Sequence, residues 1–230
     1  MPLLYTLLAW LVGVTRHHFS FEKMKAYEPS YSSLRAAHGI ALTEEANNVT
    51  EALRFKASPN PMMCVGLTSV VREDVSYFQS AVGLVLAGLS PVERADLFLI
   101  LFIAHTDPMQ HPAYSEPRLH ELADKVLLYD ENDIDIDHIR SLETAEGKTL
   151  ALEKALLDYT YLLKACTAIG TPYTVMLEGD IISLDGWYHR TKQALHAVER
   201  QTVETSDASP PCGRLPADYR NIAGGGYLGN

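Results

Sequence analysis

The chain has little cysteine, no surplus of basic residues and no apolar run long enough to cross a membrane, and each absence excludes a class of protein. Three cysteines (Cys64, Cys166, Cys212) in 230 residues are too few and too scattered for a disulfide scaffold or a zinc cluster. Cys64 and Cys166 stand in apolar stretches, which reads as buried free thiols; among the three cysteines the sequence leaves one bridge open in an oxidising compartment, without saying which two would form it. Nineteen Lys and Arg against 29 Asp and Glu give a formal net charge of −10. That argues against nucleic acid as a partner, because phosphate backbones demand a basic face. A single phosphorylated ligand stays compatible, since a metal ion can screen the repulsion locally. The longest apolar run, Pro2 to Val14 (PLLYTLLAWLVGV), falls short of the roughly 20 residues of a transmembrane helix. It also lacks the basic flank and cleavage site of a secretory signal. It reads as a signal-anchor remnant, and so as a membrane association through the N-terminus, in preference to a docked apolar helix. No Ser-His-Asp or Cys-His nucleophile arrangement is visible in the sequence.

What remains is an ordinary globular composition, with 47% apolar and 21% charged residues, enough for a sizeable core without staples. Four segments follow from the patterning: 1–14, the apolar run; 15–61, a mixed helical and irregular region ending at Ser58-Pro59-Asn60-Pro61; 62–200, the patterned domain; and 201–230, a loose tail carrying Pro210-Pro211 and Gly224-Gly225-Gly226. Within 15–61, residues 33–37 and 44–55 have helical character. Asn48-Val49-Thr50 is an acceptor pattern for glycosylation, with meaning only inside the secretory pathway.

The patterned domain alternates strands and helices. Residues 62–71, 97–104, 126–129 and 173–177 read as buried strands, because they are short, apolar and rich in branched side chains. Helices are expected after Arg72, over 117–125, over 150–170 and over 185–200, with 91–96 as a turn and 130–137 as an acidic loop. In the long helix, Leu152, Leu156, Tyr159, Leu163 and Cys166 are spaced to form the buried face. Such alternation implies right-handed crossovers and a mainly parallel sheet covered by helices. These sheets bind ligands at the carboxyl ends of their strands, where Arg72, Asp107, Asp130, Glu178 and Asp180 fall.

Glu178-Gly179-Asp180 directly follows a strand. Side chains two apart on extended backbone point the same way, so both carboxylates can reach one hard cation. His105, His111 and His120 lack metal-ligand spacing and read as surface or packing residues. Asp130 to Ser141 departs from a calcium loop at its sixth and twelfth positions, Asp135 and Ser141.

The run Leu152-Glu153-Lys154 to Asp158-Tyr159, with Gly170-Thr171-Pro172-Tyr173, Met176 to Asp180, and Asp185-Gly186-Trp187-Tyr188, resembles the Golgi N-acetylgalactosaminyltransferases that modify GPI anchors after attachment to protein, especially the fungal members. It is more distantly similar to N-acetylglucosaminyltransferase IV. Val65-Gly66-Leu67-Thr68 with Val71-Arg72, and Phe102 to Asp107, resemble the family's first two strands, so the likeness spans about 65–197. It implies a GT-A (Rossmann-like) fold and a divalent metal, Mn2+ or Mg2+, held by Glu178 and Asp180. It further implies a UDP-sugar, UDP-N-acetylgalactosamine, as donor, with Thr68 and Arg72 near the nucleotide and Lys154 and Asp158 near the donor. A glycan such as a GPI anchor is the implied acceptor, and the Golgi membrane or secretory lumen the implied location. Two departures stand out: the middle acid of the family's motif is Gly179 here, and the family's acceptor-binding elements have no counterpart after about residue 200. The alternatives are therefore a shortened, non-catalytic paralogue that binds nucleotide-sugar or a partner, and a metal-dependent hydrolase using the same two acids.

Overall fold

The structure is a computed structural model that describes residues 29–45, 56–70 and 76–208. It divides into two compact units, residues 1–185 and 186–230. In the first unit, α1 (Pro29–Glu44) precedes β1 (Met63–Ser69), α2 (Ser76–Leu86), the short α3 (Pro91–Ala95) and β2 (Leu97–Ile103). Two 3-10 turns (Pro108–Gln110 and Pro112–Ser115), α4 (Pro117–Leu122), β3 (Lys125–Leu127), α5 (Ile136–Thr144), α6 (Lys148–Thr167) and β4 (Tyr173–Glu178) complete it. The second unit contributes α7 (Trp187–Ala208), in which Trp187 and Tyr188 form an edge-to-face ring pair. Among the described residues no helix is long and apolar enough to cross a membrane. The apolar run 1–14, Asn48, Arg72 and most of the tail lie outside them.

The four strands are all parallel, in the order β3-β2-β1-β4, so the fold is α/β, Rossmann-like, with helices covering the sheet. The chain builds outward from β1 through β2 to β3, then returns to place β4 on the other side of β1. The order reverses between β1 and β4, and open parallel sheets place their ligands at such a reversal. β1 and β2 are buried almost throughout, as their continuous apolar runs require.

A match of step lengths sets α6 on β1. Alternate residues along a strand advance about 6.6 Å, while every fourth residue along a helix advances about 6 Å. Cys64, Gly66 and Thr68 share one face of β1. They meet Cys166, Leu162 and Asp158, which descend α6 in the opposite direction: Cys64 is bonded to Cys166, Gly66 lies against Leu162, and Thr68 shares a cleft with Asp158. The bonded pair corrects the expectation of free thiols. Two cysteines 102 residues apart in sequence end 5.6 Å apart at Cα, within disulfide reach.

Several expectations shift with the packing. The buried face of α6 is Asp158, Tyr161, Leu162 and Cys166, whereas Leu152, Leu156 and Tyr159 are exposed. A polar pair displaces the leucine stripe because the protein supplies its partners, described below. Residues 33–37 belong to a single longer helix, α1, and 46–55 lie outside the described residues. Gly39 of α1 and Gly83 of α2 touch so closely that a Cβ on Gly83 would stand 2.0 Å from the Gly39 carbonyl oxygen. Residues 91–95 form a helical turn, because Ser90 and Glu93 make a reciprocal capping box. The acidic stretch holds the start of α5, whose first turn is capped by Asp135 accepting from His138 N.

At the amino ends of the strands, Arg94 is fully buried and paired with Asp124 at 3.0 Å. It also donates to the carbonyls of Leu97 and Leu122. Asp124 accepts in turn from the amides of Ala57 and Leu99. This pair ties the loops at the sheet's lower edge, far from the ligand end.

Candidate functional site

β1 and β4 run in register, with Thr68 opposite Glu178, and both strands end at one cleft of about 290 Å3. Thr68, Ser69 and Val70 form one side, and Met176 to Asp180 the next. α6 contributes Asp158 and Tyr159, and the first turn of α2 contributes Tyr77 and Phe78. His111 and Pro112 reach in from the 3-10 segment. Glu178 and Asp180 both open on this cleft and are solvent-exposed.

Gly179 holds its place by having no side chain. An ideal Cβ there would stand 2.9 Å from the Thr68 carbonyl oxygen and 3.1 Å from Phe78 Cδ2. The end of β4 can therefore lie against β1 with an acid on either side of the contact, but not with an acid in the middle.

Behind the cleft, Asp158 anchors a buried polar network. Its Oδ1 accepts from the Tyr129 hydroxyl and its Oδ2 from Lys154 Nζ at 2.9 Å. Lys154 also donates to the Ala104 carbonyl at 3.0 Å and to Tyr129 Oη at 3.3 Å, and Glu143 lies 4.0 Å away. Glu143 is fixed by the amide and hydroxyl of Thr106. Burial raises the Asp158 carboxyl above the usual aspartate value, against the opposing pull of Lys154 and the Tyr129 hydroxyl. Burial, and then the Asp158 charge, push the Tyr129 phenol far above its ordinary value, so it remains a donor. The network presents Asp158 to the cleft in one orientation.

Of the residues named from sequence, Thr68, Asp158, Glu178 and Asp180 meet in the cleft. Lys154 stands behind Asp158 and is not part of the lining. Arg72 lies outside the described residues. Asp107 and Asp130 lie in the loops after β2 and β3, beyond the strand ends at Ile103 and Leu127, and turn into local hydrogen bonds. Asp107 accepts from Met109 N and Gln110. Asp130 accepts from both nitrogens of Asn132, which hold its carboxyl below the usual range. His105 and His120 have structural partners, Asp107 N and the Tyr114 carbonyl respectively. None of the described lining residues is Lys or Arg, and among the described residues no group of three His, Cys, Asp or Glu side chains is arranged for a metal.

Sequence reading misses Ser69 and gives His111 only a surface or packing role. Ser69 Oγ and His111 Nε2 are 2.9 Å apart, both residues are buried, and both line the cleft. The only advance signal was the turn chemistry of Asp107-Pro108 and His111-Pro112, which folds this segment back over β1. Compared with protein-family models, with curated proteins and with solved structures, the chain matches none.

Proposed function

We propose that the cleft is the donor site of a glycosyltransferase of GT-A type, taking a UDP-sugar, UDP-N-acetylgalactosamine on the resemblance, with Mn2+ or Mg2+ at Glu178 and Asp180. One observation carries the reading: two carboxylates flanking a glycine open on a single cleft at the reversal point of a parallel sheet. The donor set suits the ion. Magnesium-type cations are commonly held by one or two carboxylates and complete their shell with substrate phosphates and water. The pair Glu178 and Asp180 on one cleft fits that mode, in which metal and nucleotide bind together. When bound, the cation supplies charge neutralisation for a diphosphate leaving group. Thr68 offers a hydroxyl beside Glu178. Asp158, oriented by Tyr129 and Lys154, can accept from a ligand hydroxyl. The Cys64–Cys166 disulfide suits an oxidising compartment, in keeping with a secretory or Golgi location and a glycan acceptor such as a GPI anchor.

A second reading, a binder without turnover, is favoured by the state of the candidate bases. Glu178 and Asp180 are assigned to the cation, while Asp158 and His111 are held in fixed hydrogen bonds. Calorimetry with UDP, with Mn2+ and with both tests the donor site. UDP is expected to bind only with Mn2+, and Glu178→Gln/Asp180→Asn to weaken binding by more than the roughly 10–100-fold that outer metal partners cost. Metal-independent UDP binding, or none, would sink the donor-site reading. Release of UDP from the sugar donor then separates transferase from binder, and phosphate release without sugar selectivity would mark a hydrolase.

A further inference from the structure

The hydrogen bonds of His111 determine which of its nitrogens carries the proton. The Ala113 amide donates to Nδ1 at 3.1 Å, so Nδ1 is the acceptor nitrogen of a neutral ring. The proton is then on Nε2, which faces Ser69 Oγ at 2.9 Å and has the Val70 backbone carbonyl as a second acceptor. A serine activated for nucleophilic attack needs the reverse, an Nε2 lone pair to take its proton. Here Nε2 has none to offer. Ser69 is instead an acceptor toward His111, and its own O–H is left to point elsewhere. His111 is its hydrogen-bond partner among the described residues, and Ser69 borders the cleft. A buried hydroxyl whose proton meets no acceptor among the described residues carries a cost, which a ligand acceptor would remove.

We propose that Ser69 and His111 form a subsite for a neutral carbonyl oxygen, an amide carbonyl in particular, with the Ser69 hydroxyl as donor and His111 as the residue that positions it. An anion is the poorer fit, because the carboxylates of Glu178 and Asp180 line the same cleft. A ligand hydroxyl is also poorer, since it would bring a proton of its own, and Val70, Phe78 and Pro112, the described lining residues beside the pair in sequence or in ring contact with it, carry no side-chain acceptor. A carbonyl oxygen brings none. Phe78 stands edge-on to the His111 ring with centroids 6.0 Å apart, giving an apolar wall for the group that bears the carbonyl. This subsite deepens the donor-site reading by naming what one wall of that cleft takes up, yet it can be tested without nucleotide or metal.

The test uses the full chain with 15N-labelled histidine. The imidazole signals of His111 are followed while N-methylacetamide, or acetate as the anionic counterpart, is titrated in. The amide is expected to shift the Nε2–H signal saturably in the millimolar range, and acetate to leave it in place. Ser69→Ala is expected to weaken the amide response at least about tenfold, the loss of one buried hydrogen bond. Ser69→Cys, a weak donor that keeps the packing, should do the same and guards against a folding defect in the alanine variant. A fluorophosphonate probe is expected to leave Ser69 unmodified. The subsite is overturned by an absent amide response, by acetate binding as well as the amide, by an unchanged response in both variants, or by acylation of Ser69. UDP–Mn2+ calorimetry run beside it keeps the two readings apart, because loss of the amide response with nucleotide binding intact removes the Ser69 role alone.

Discussion

Gly66 lies beneath Leu162 with no space between them: an ideal Cβ on the glycine would stand 2.8 Å from the leucine Cγ. This contact lets α6 approach β1 closely enough for the bridge below it and for Asp158 to reach the cleft above it.

Gly66→Ala should therefore destabilise the fold by about 1–3 kcal/mol through overpacking, measured by urea unfolding. Leu162→Ala, itself a cavity-forming loss of about 2–5 kcal/mol at this buried site, should cost less on the Gly66→Ala background, since the added methyl occupies part of the space that the leucine vacates. The double variant should be more stable than the sum of the singles by about 0.5–3 kcal/mol. Strict additivity would mean that the two side chains do not share the space.

The bridge makes a separate claim. Its ends are 102 residues apart in sequence, so it restricts a long loop of the unfolded chain. Cys64→Ala/Cys166→Ala is expected to cost about 2–5 kcal/mol, and reductant to lower the unfolding midpoint of the wild type alone. Thiol titration of the unreduced, denatured chain should find one of the three cysteines free, Cys212. Three titrating thiols would restore the free-thiol expectation.

The strands were legible because a continuous apolar run has few ways to be satisfied other than burial on both faces. The helices were less so. On α6 the residues Leu152, Leu156, Tyr159 and Leu163 form a regular stripe, yet Leu152 is 70% exposed and Leu156 64%. The buried stripe holds Lys154 and Asp158 near its start, and a charged pair turns inward only when its partners exist. Those partners, Tyr129, the Ala104 carbonyl and Glu143, come from distant segments that local periodicity does not register. The candidate site divided in the same way. Glu178 and Asp180 could be named because a strand precedes them, whereas Ser69 and His111 meet across 42 residues through two proline turns whose direction no spacing rule gives.

Asp124 offers a test of the opposite end of the sheet. Removing it leaves the Arg94 guanidinium buried without its counter-ion, so Asp124→Ala should cost about 3–5 kcal/mol. Arg94→Met on that background should regain stability, because an apolar side chain needs no partner there. A fall instead of a gain would show that the carbonyl bonds of Arg94, not its charge pairing, hold the loops.

His111 gives a pH dependence of definite sign. Burial holds its imidazole below the ordinary value of 6.5, with His105 acting in the same direction and the Val70 backbone opposing. Folding thus favours the neutral ring. The stability this contributes is fully present above the unfolded value of 6.5 and is lost as the pH falls from there through the folded value. Unfolding midpoints of the wild type should drop over that acid window more steeply than those of His111→Gln. A parallel decline in the two would assign the acid sensitivity to other groups.

Gly179 decides whether the departure from an acid-acid-acid pattern is a loss or a fit. If a metal ligand were merely absent, Gly179→Asp would tighten Mn2+ binding in the presence of UDP. The contact with β1 argues for the other outcome. Any Cβ at this position meets the Thr68 carbonyl oxygen at 2.9 Å, so β4 must move from β1 where Thr68 and Glu178 are paired. Gly179→Ala and Gly179→Asp should both cost about 1–3 kcal/mol of stability and weaken UDP–Mn2+ binding, the added carboxylate notwithstanding. The alanine variant separates steric from electrostatic causes: similar losses in the two assign the effect to the Cβ, whereas a gain confined to aspartate would show that the cleft had room for a third acid.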